Sequence, residues 1–266
     1  MSSLFERFGF DDAPAEHQPT QVSGVHEAPT QPAPYVEEID GDHGAIGSIP
    51  TAELGVLFEP VVDLVTGGTL GLEVHPHSCT AGLEDPAQLF ARAVFEHRVG
   101  ELGRLIRERA MAEVAGSPLF LRVHPQELKE GWLIRPDDAI CSHDAEIFLE
   151  VAQPSYSSVC RQVLAEVRSR GGISLCVDDF GAGASSVLDV VQLAPTHVKL
   201  DPALSSGIDT DDRRLRALER VVQLCYELGA AVIAKGLSTG EEAQAVLQCG
   251  VRYGQGPALG IPTAAR

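Results

Sequence analysis

Apolar residues along this chain recur in two periods, and the periods alternate. Val56–Leu64 and Thr69–Val74 are short apolar runs of strand type, joined by a Thr66-Gly67-Gly68 hairpin turn. Pro60 is expected to break the first run, and Glu73 lies at the end of the second. Residues 86–114 repeat with helical period, in two pieces around Val99-Gly100. Leu119–Val123 predicts a strand, Pro125–Lys129 the start of a short helix, and Ile147–Val151 a strand carrying Glu150. Ser155–Ser169 is amphipathic and ends at Gly171-Gly172. Ile173–Val177 is the next strand, followed by Asp178, Asp179 and a Gly-rich turn, Phe180–Gly183. Ser185 or Ser186 then caps a helix through Leu193, which Pro195 stops. His197–Leu200 is a strand bearing Lys199 and leading to Asp201. A long helix over Asp211–Leu228, capped by Gly229, precedes a strand at Ala231–Ala234 that ends on Lys235. A helix at Glu241–Gln248 and a strand at Val251–Gln255 close the series.

A hairpin followed by repeated strand–helix units predicts an α/β fold of the (β/α)8 barrel type. A doubly wound open sheet is the alternative. No Gly-x-Gly-x-x-Gly loop follows an early strand, which counts against a dinucleotide fold.

Composition changes the picture at the N-terminus. Residues 1–50 are rich in Pro, Gln and Ala and carry nine acidic residues against one basic, Arg7. Such a segment buries too little apolar area to offset its ordering entropy, so it is expected to be a disordered acidic tail ahead of one domain over 51–266. Leu4, Phe5, Phe8 and Phe10 stand out in it as a short apolar cluster, a docking motif or a chance grouping. The whole chain of 266 residues has a net charge of −18, which disfavours nucleic acid and anionic membranes as partners. No apolar run approaches the ~20 residues of a membrane span, and the N-terminus has no signal-peptide pattern, which predicts a cytoplasmic protein. The six cysteines are scattered without zinc-site spacing and read as reduced core thiols.

In a barrel the strand ends meet at one mouth. They deliver Glu73, Arg122, Glu150, Asp178, Asp179, Lys199, Lys235 and Gln255. Singly, each has a plain explanation as a cap, a rim ion pair or a solvated strand end. Together they put carboxylates, cations and an amide in one place.

DDFGAGASS at Asp178–Ser186, followed by the HVKLD strand at His197–Asp201, resembles the signature of the EAL domain, the family of cyclic di-GMP phosphodiesterases. LFEPVVDLVTG at Leu57–Gly67 is similar to the family's opening YQPIVDLxTG. Leu72-Glu73-Val74-His75 lies where the Glu-Ala-Leu motif sits, and LEVAQ at Leu149–Gln153 where Leu-Glu-Ile-Thr-Glu sits. AKGLST at Ala234–Thr239 replaces Ala-Glu-Gly-Val-Glu-Thr, and GQGPALGIP at Gly254–Pro262 resembles the closing QGYxxxxP. The resemblance implies an EAL-type barrel in which Glu73, Glu150, Asp178 and Asp179 are retained metal ligands. It implies that Lys199 is the lysine that positions or activates water, and it marks Gln255 and Asp201 as candidate ligand contacts.

The departures fall in the functional set. The resemblance puts an Asn ligand where Arg122 stands, and two Glu residues where Lys235 and Ser238 stand. Gln153 replaces the Glu that steadies the Gly-rich loop, and His77 the substrate-contacting Arg. A fixed cation beside a divalent ion is repelled by ~4 kcal/mol at 4 Å even with an effective dielectric of ~20. The sequence therefore predicts no cofactor and a silent EAL domain, with Lys199 vestigial, acting as a regulatory module. That module binds either an unidentified protein partner or cyclic di-GMP without metal, with Arg122, Lys235 and His77 as ligand candidates. The alternative is an active phosphodiesterase using Mg²⁺ or Mn²⁺ to make linear pGpG. A homodimer is a further expectation, and no companion diguanylate cyclase segment is read beside the barrel.

Overall fold

The computed structural model describes residues 53–152, 157–181 and 187–265. The N-terminal segment with its Phe cluster, Gln153 and the Gly-rich turn from Ala182 to Ser186 lie outside the described residues.

Eight strands close into a barrel in sequence order. They are β1 (Leu54–Asp63), β2 (Thr69–Ser78), β3 (Leu119–Val123), β4 (Ile147–Val151), β5 (Ile173–Phe180), β6 (His197–Leu200), β7 (Ala231–Ala234) and β8 (Tyr253–Gly254). β2 to β8 pair in parallel, whereas β1 runs antiparallel to both β2 and β8. The outer helices include α1 (Pro86–Phe95), α2 (Val99–Glu113), α3 (Pro125–Glu130) and α4 (Ser158–Ser169). After β5 come α5 (Val187–Leu193), the single turn α6 (Pro202–Ser205), α7 (Asp212–Glu227) and α8 (Gly240–Gln248). Caps fix several starts: Asp211 accepts from two amides of α7, and Thr239 and Glu242 form a reciprocal capping box on α8. No helix among the described residues is long and apolar enough to cross a membrane.

Three strand expectations need correction. Pro60 does not break β1, which stays paired with β2 from Leu54 to Val62. Phe58 exchanges backbone hydrogen bonds with Thr263, so by alternation the missing amide of Pro60 faces away from β2 and removes nothing from that ladder. β2 likewise runs on to Ser78, past Pro76, because Leu54–Leu57 continue the pairing; Glu73 is therefore in mid-strand rather than at a strand end. Similarly, Asp178 and Asp179 lie inside β5 rather than after it.

Alternation along the strands builds the interior in layers. Val61, Phe120, Phe148, Cys176 and Ile233 form a buried apolar cluster inside the barrel. Phe120 and Phe148 stack at 4.3 Å between centroids, and His197 meets Phe148 edge-on. Gly71 leaves room for this floor, since a Cβ there would lie 3.0 Å from the Phe120 ring. A larger apolar core separates the barrel from its helices.

Candidate functional site

Two residues beyond each floor residue the chain changes from apolar to polar. Phe120 leads to Arg122, Phe148 to Glu150, Cys176 to Asp178, His197 to Lys199, Ile233 to Lys235 and Tyr253 to Gln255. Period-two alternation points each second residue to the same inner face, so the charged layer sits directly on the aromatic one. Lys199 shows the stacking: its Nζ lies 4.8 Å above the centre of the Phe120 ring.

Lys199 is fully buried and donates to Glu73 Oε2 at 2.6 Å; it also forms an ion pair with Glu150. Burial opposes its charge, but the two carboxylates outweigh that and raise its pKa, so it stays protonated. The carboxylates divide. Burial raises Glu73, but the Lys199 charge overrides this and holds it at about 2. Burial and the neighbouring Glu73 charge push Glu150 up to about 7 against the same lysine, and Glu150 Oε2 meets no hydrogen-bond donor among the described residues. The Lys199 charge thus favours the ionised form at Glu73, and burial beside that charge favours the protonated form at Glu150.

Across the mouth, Lys235 Nζ donates to Asp178 Oδ1 at 2.6 Å and also to Asp179. Arg122 Nη2 donates to Asp178, and lies 3.5 Å from Asp179 Oδ2. Consecutive strand residues point to opposite faces, yet both aspartates reach these cations. The register of β5 with β6 shifts between Val177 and Phe180, and Asp179 adopts a left-handed φ of 51°. The Asp178 carboxylate accepts from the Asp179 amide at 2.8 Å and holds this bulge. Burial opposes ionisation of Asp178, but the Lys235 and Arg122 charges hold its pKa well below the usual range. Asp178 in turn raises Lys235 and Arg122 against burial.

Gln255 is buried and donates to Glu73 Oε2 at 2.5 Å and to Glu59 Oε2 at 3.3 Å. Its backbone hydrogen bonds to Ala234 and Leu237 fix it there. His75 Nε2 lies 2.9 Å from Glu59 Oε2. Glu59 and His75 were not among the sequence candidates. Their signal was the in-register hairpin, in which Glu59 opposes Glu73, and the expected break at Pro60 hid it. Other candidates stay outside the network. Asp201 caps α6 by accepting from Ala203, His77 packs on Gly55 opposite it, and Ser238 binds the Gly236 carbonyl through its hydroxyl.

An eight-stranded barrel with one antiparallel strand, an Asp-Asp bulge on β5 and a buried lysine on β6 match one known pattern. The chain belongs to the EAL domain family. The match spans residues 48–262. This EAL domain is 25% identical over 240 residues to the cyclic di-GMP phosphodiesterase RocR of Pseudomonas aeruginosa, covering 83% of the chain and 60% of RocR. The chain thus spans less than two thirds of that relative's length. In fold it is similar to the PaMucR phosphodiesterase solved in complex with c-di-GMP, with a TM-score of 0.70 and 21% identity over 80% of this chain and 98% of that one. It is also similar to Klebsiella pneumoniae BlrP1 in a manganese/cyclic di-GMP complex, with a TM-score of 0.68 and 24% identity over 79% of this chain and 56% of that one. At these identities the structural likeness carries the fold alone.

Proposed function

We propose that this EAL domain is a catalytically silent regulatory module whose former metal site is closed by its own ion pairs. The observation that carries this is the pairing of both β5 aspartates with Arg122 and Lys235, two cations standing at positions where the family motif has oxygen ligands. Divalent Mg²⁺ or Mn²⁺ requires several oxygen donors around each ion. Here Asp178 and Asp179 are occupied by Arg122 and Lys235, two fixed cations that the family motif does not place there. The donor set does not fit a pair of divalent ions, and no hydrolytic step is assigned to it. Six free cysteines suit a reducing, cytoplasmic setting. On this reading the domain acts through contact with a protein partner.

A second reading rests on Arg122. Its side chain is 53% exposed, and only Nη2 is engaged by the aspartates among the described residues. An exposed guanidinium suits a phosphodiester oxygen, so on this reading the module would hold cyclic di-GMP without metal. Calorimetric titration of the full chain with cyclic di-GMP, in EDTA and in Mg²⁺, separates the readings. The closed site predicts no heat of binding in either buffer. Binding in EDTA that weakens with salt and is lost in Arg122→Ala favours the second reading. Binding that requires Mg²⁺ contradicts both.

A further inference from the structure

On the hairpin side of the mouth, Glu59 of β1 stands directly opposite Glu73 of β2, and His75 lies two residues on along the same face. Like charges directly opposed across an antiparallel pair are destabilising, so this pairing calls for positive charge between them. Lys199 serves Glu73 through Oε2. Among the described residues Glu59 has the His75 ring at 2.9 Å and the Gln255 amide at 3.3 Å. One donor atom each from Glu59, Glu73 and His75 lies within 4.8 Å of the others.

A second observation points the same way. Gln255 is 4% exposed, its Nε2 touches Glu59 and Glu73, and its carbonyl Oε1 is buried without a partner among the described residues. Turning this amide over would set Oε1 against two carboxylate oxygens, which is favourable only with a cation between them. Glu59 and His75 also stand where the motifs quoted above have Gln and Leu, so an imidazole and a carboxylate enter together, on adjacent strands.

We infer that Glu59, Glu73 and His75 form a single-ion site for a borderline divalent cation of the Zn²⁺ type, with Gln255 turning its carbonyl toward the ion. One imidazole and two carboxylates are a three-residue donor set that zinc accepts, with a fourth position left for Gln255 or water. A neutral imidazole beside two carboxylates sets two negative charges against the ion, and the imidazole selects against Mg²⁺. The site uses neither Arg122 nor Lys235 and leaves their ion pairs with Asp178 and Asp179 in place.

The test is calorimetric titration of EDTA-stripped, desalted full-length protein with Zn²⁺, repeated with Co²⁺ to read the ligand-field absorption of the bound ion. We expect one ion per chain, undisturbed by millimolar Mg²⁺. We expect His75→Leu and Glu59→Gln each to weaken it by about 100-fold or more, beyond the roughly 10–100-fold that loss of an outer partner costs. Circular dichroism confirms that each variant is folded, and the near-isosteric Glu59→Gln serves if His75→Leu is not. Absence of binding, wild-type affinity in Glu59→Gln, or displacement by equimolar Mg²⁺ would overturn the assignment.

Discussion

Two buried charge networks in this domain are built differently. On the helical side, Arg107 of α2 donates to both oxygens of Asp138 at 2.6–3.2 Å and to Glu127 of α3 at 2.5 Å. Asp138 also caps the 3₁₀ turn Ala139–Cys141, and Gly103 has no room for a side chain because a Cβ there would lie 2.5 Å from Glu127 Oε2. One cation holds two acids, all three are buried, and the bonds tie three neighbouring elements together. At the barrel mouth, by contrast, three cations from three strands face four carboxylates. Arg122 is half exposed, and while each network leaves a buried oxygen without a partner among the described residues, Glu127 Oε2 in the first and Glu150 Oε2 and Gln255 Oε1 in the second, only the mouth opens a cation to solvent. The first network is an element clamp. The second is a looser network, with three cations brought together from different strands and one of them half exposed.

The largest effect expected from this contrast is at Arg107. Arg107→Met strands Asp138 and Glu127 in the core, and we expect a loss of about 3–5 kcal/mol in urea unfolding. A loss below about 1 kcal/mol would mean that this network is not a clamp. Lys199→Met should cost less, about 1–3 kcal/mol, because Glu150 already holds a proton into the neutral range and Glu73 can take one up. That loss should be smaller at pH 5 than at pH 8; an equal loss at both would contradict the division of charge between Glu73 and Glu150. Arg122→Ala is half exposed and should cost only about 0–1 kcal/mol.

The smallest effect is in the pH profile. Glu150 has its folded pKa raised from 4.5 to about 7, so the folded state binds more protons between those values. Stability therefore falls as pH rises from about 4.5 to about 7. Glu127, raised by burial to about 7 despite Arg107, adds a slope of the same sign. Glu73, lowered to about 2, acts oppositely and costs stability only as pH falls below about 4.5. Glu150→Gln should flatten part of the slope between pH 5 and 7 in thermal melts, and an unchanged slope would place Glu150 as ionised throughout.

Most of the mouth was legible because alternation in a barrel is periodic: once a floor residue such as Phe148 is placed, Glu150 two positions on must share its face. The strands at Leu119–Val123, Ile147–Val151, His197–Leu200 and Ala231–Ala234 agree with the pattern for the same reason. What sequence could not supply was pairing. Glu59 and His75 meet only through the register of β1 with β2, and Pro60 reads as a strand breaker until the partner strand is known. Nor does spacing say that two adjacent aspartates both face inward, because that depends on the bulge at Asp179. The Arg107 clamp was invisible, since Arg107, Glu127 and Asp138 come from separate elements whose packing no local period encodes.

The occupation of the β5 aspartates by Arg122 and Lys235 is tested most directly by turnover. Purified full-length protein, incubated with cyclic di-GMP and millimolar Mg²⁺ or Mn²⁺, is followed by chromatography for linear pGpG. We expect product no greater than in a protein-free control, with both ions. Turnover at kcat values in the ordinary enzymatic range of about 1 s⁻¹ or above would show that the cations yield to metal, and would contradict the closed site.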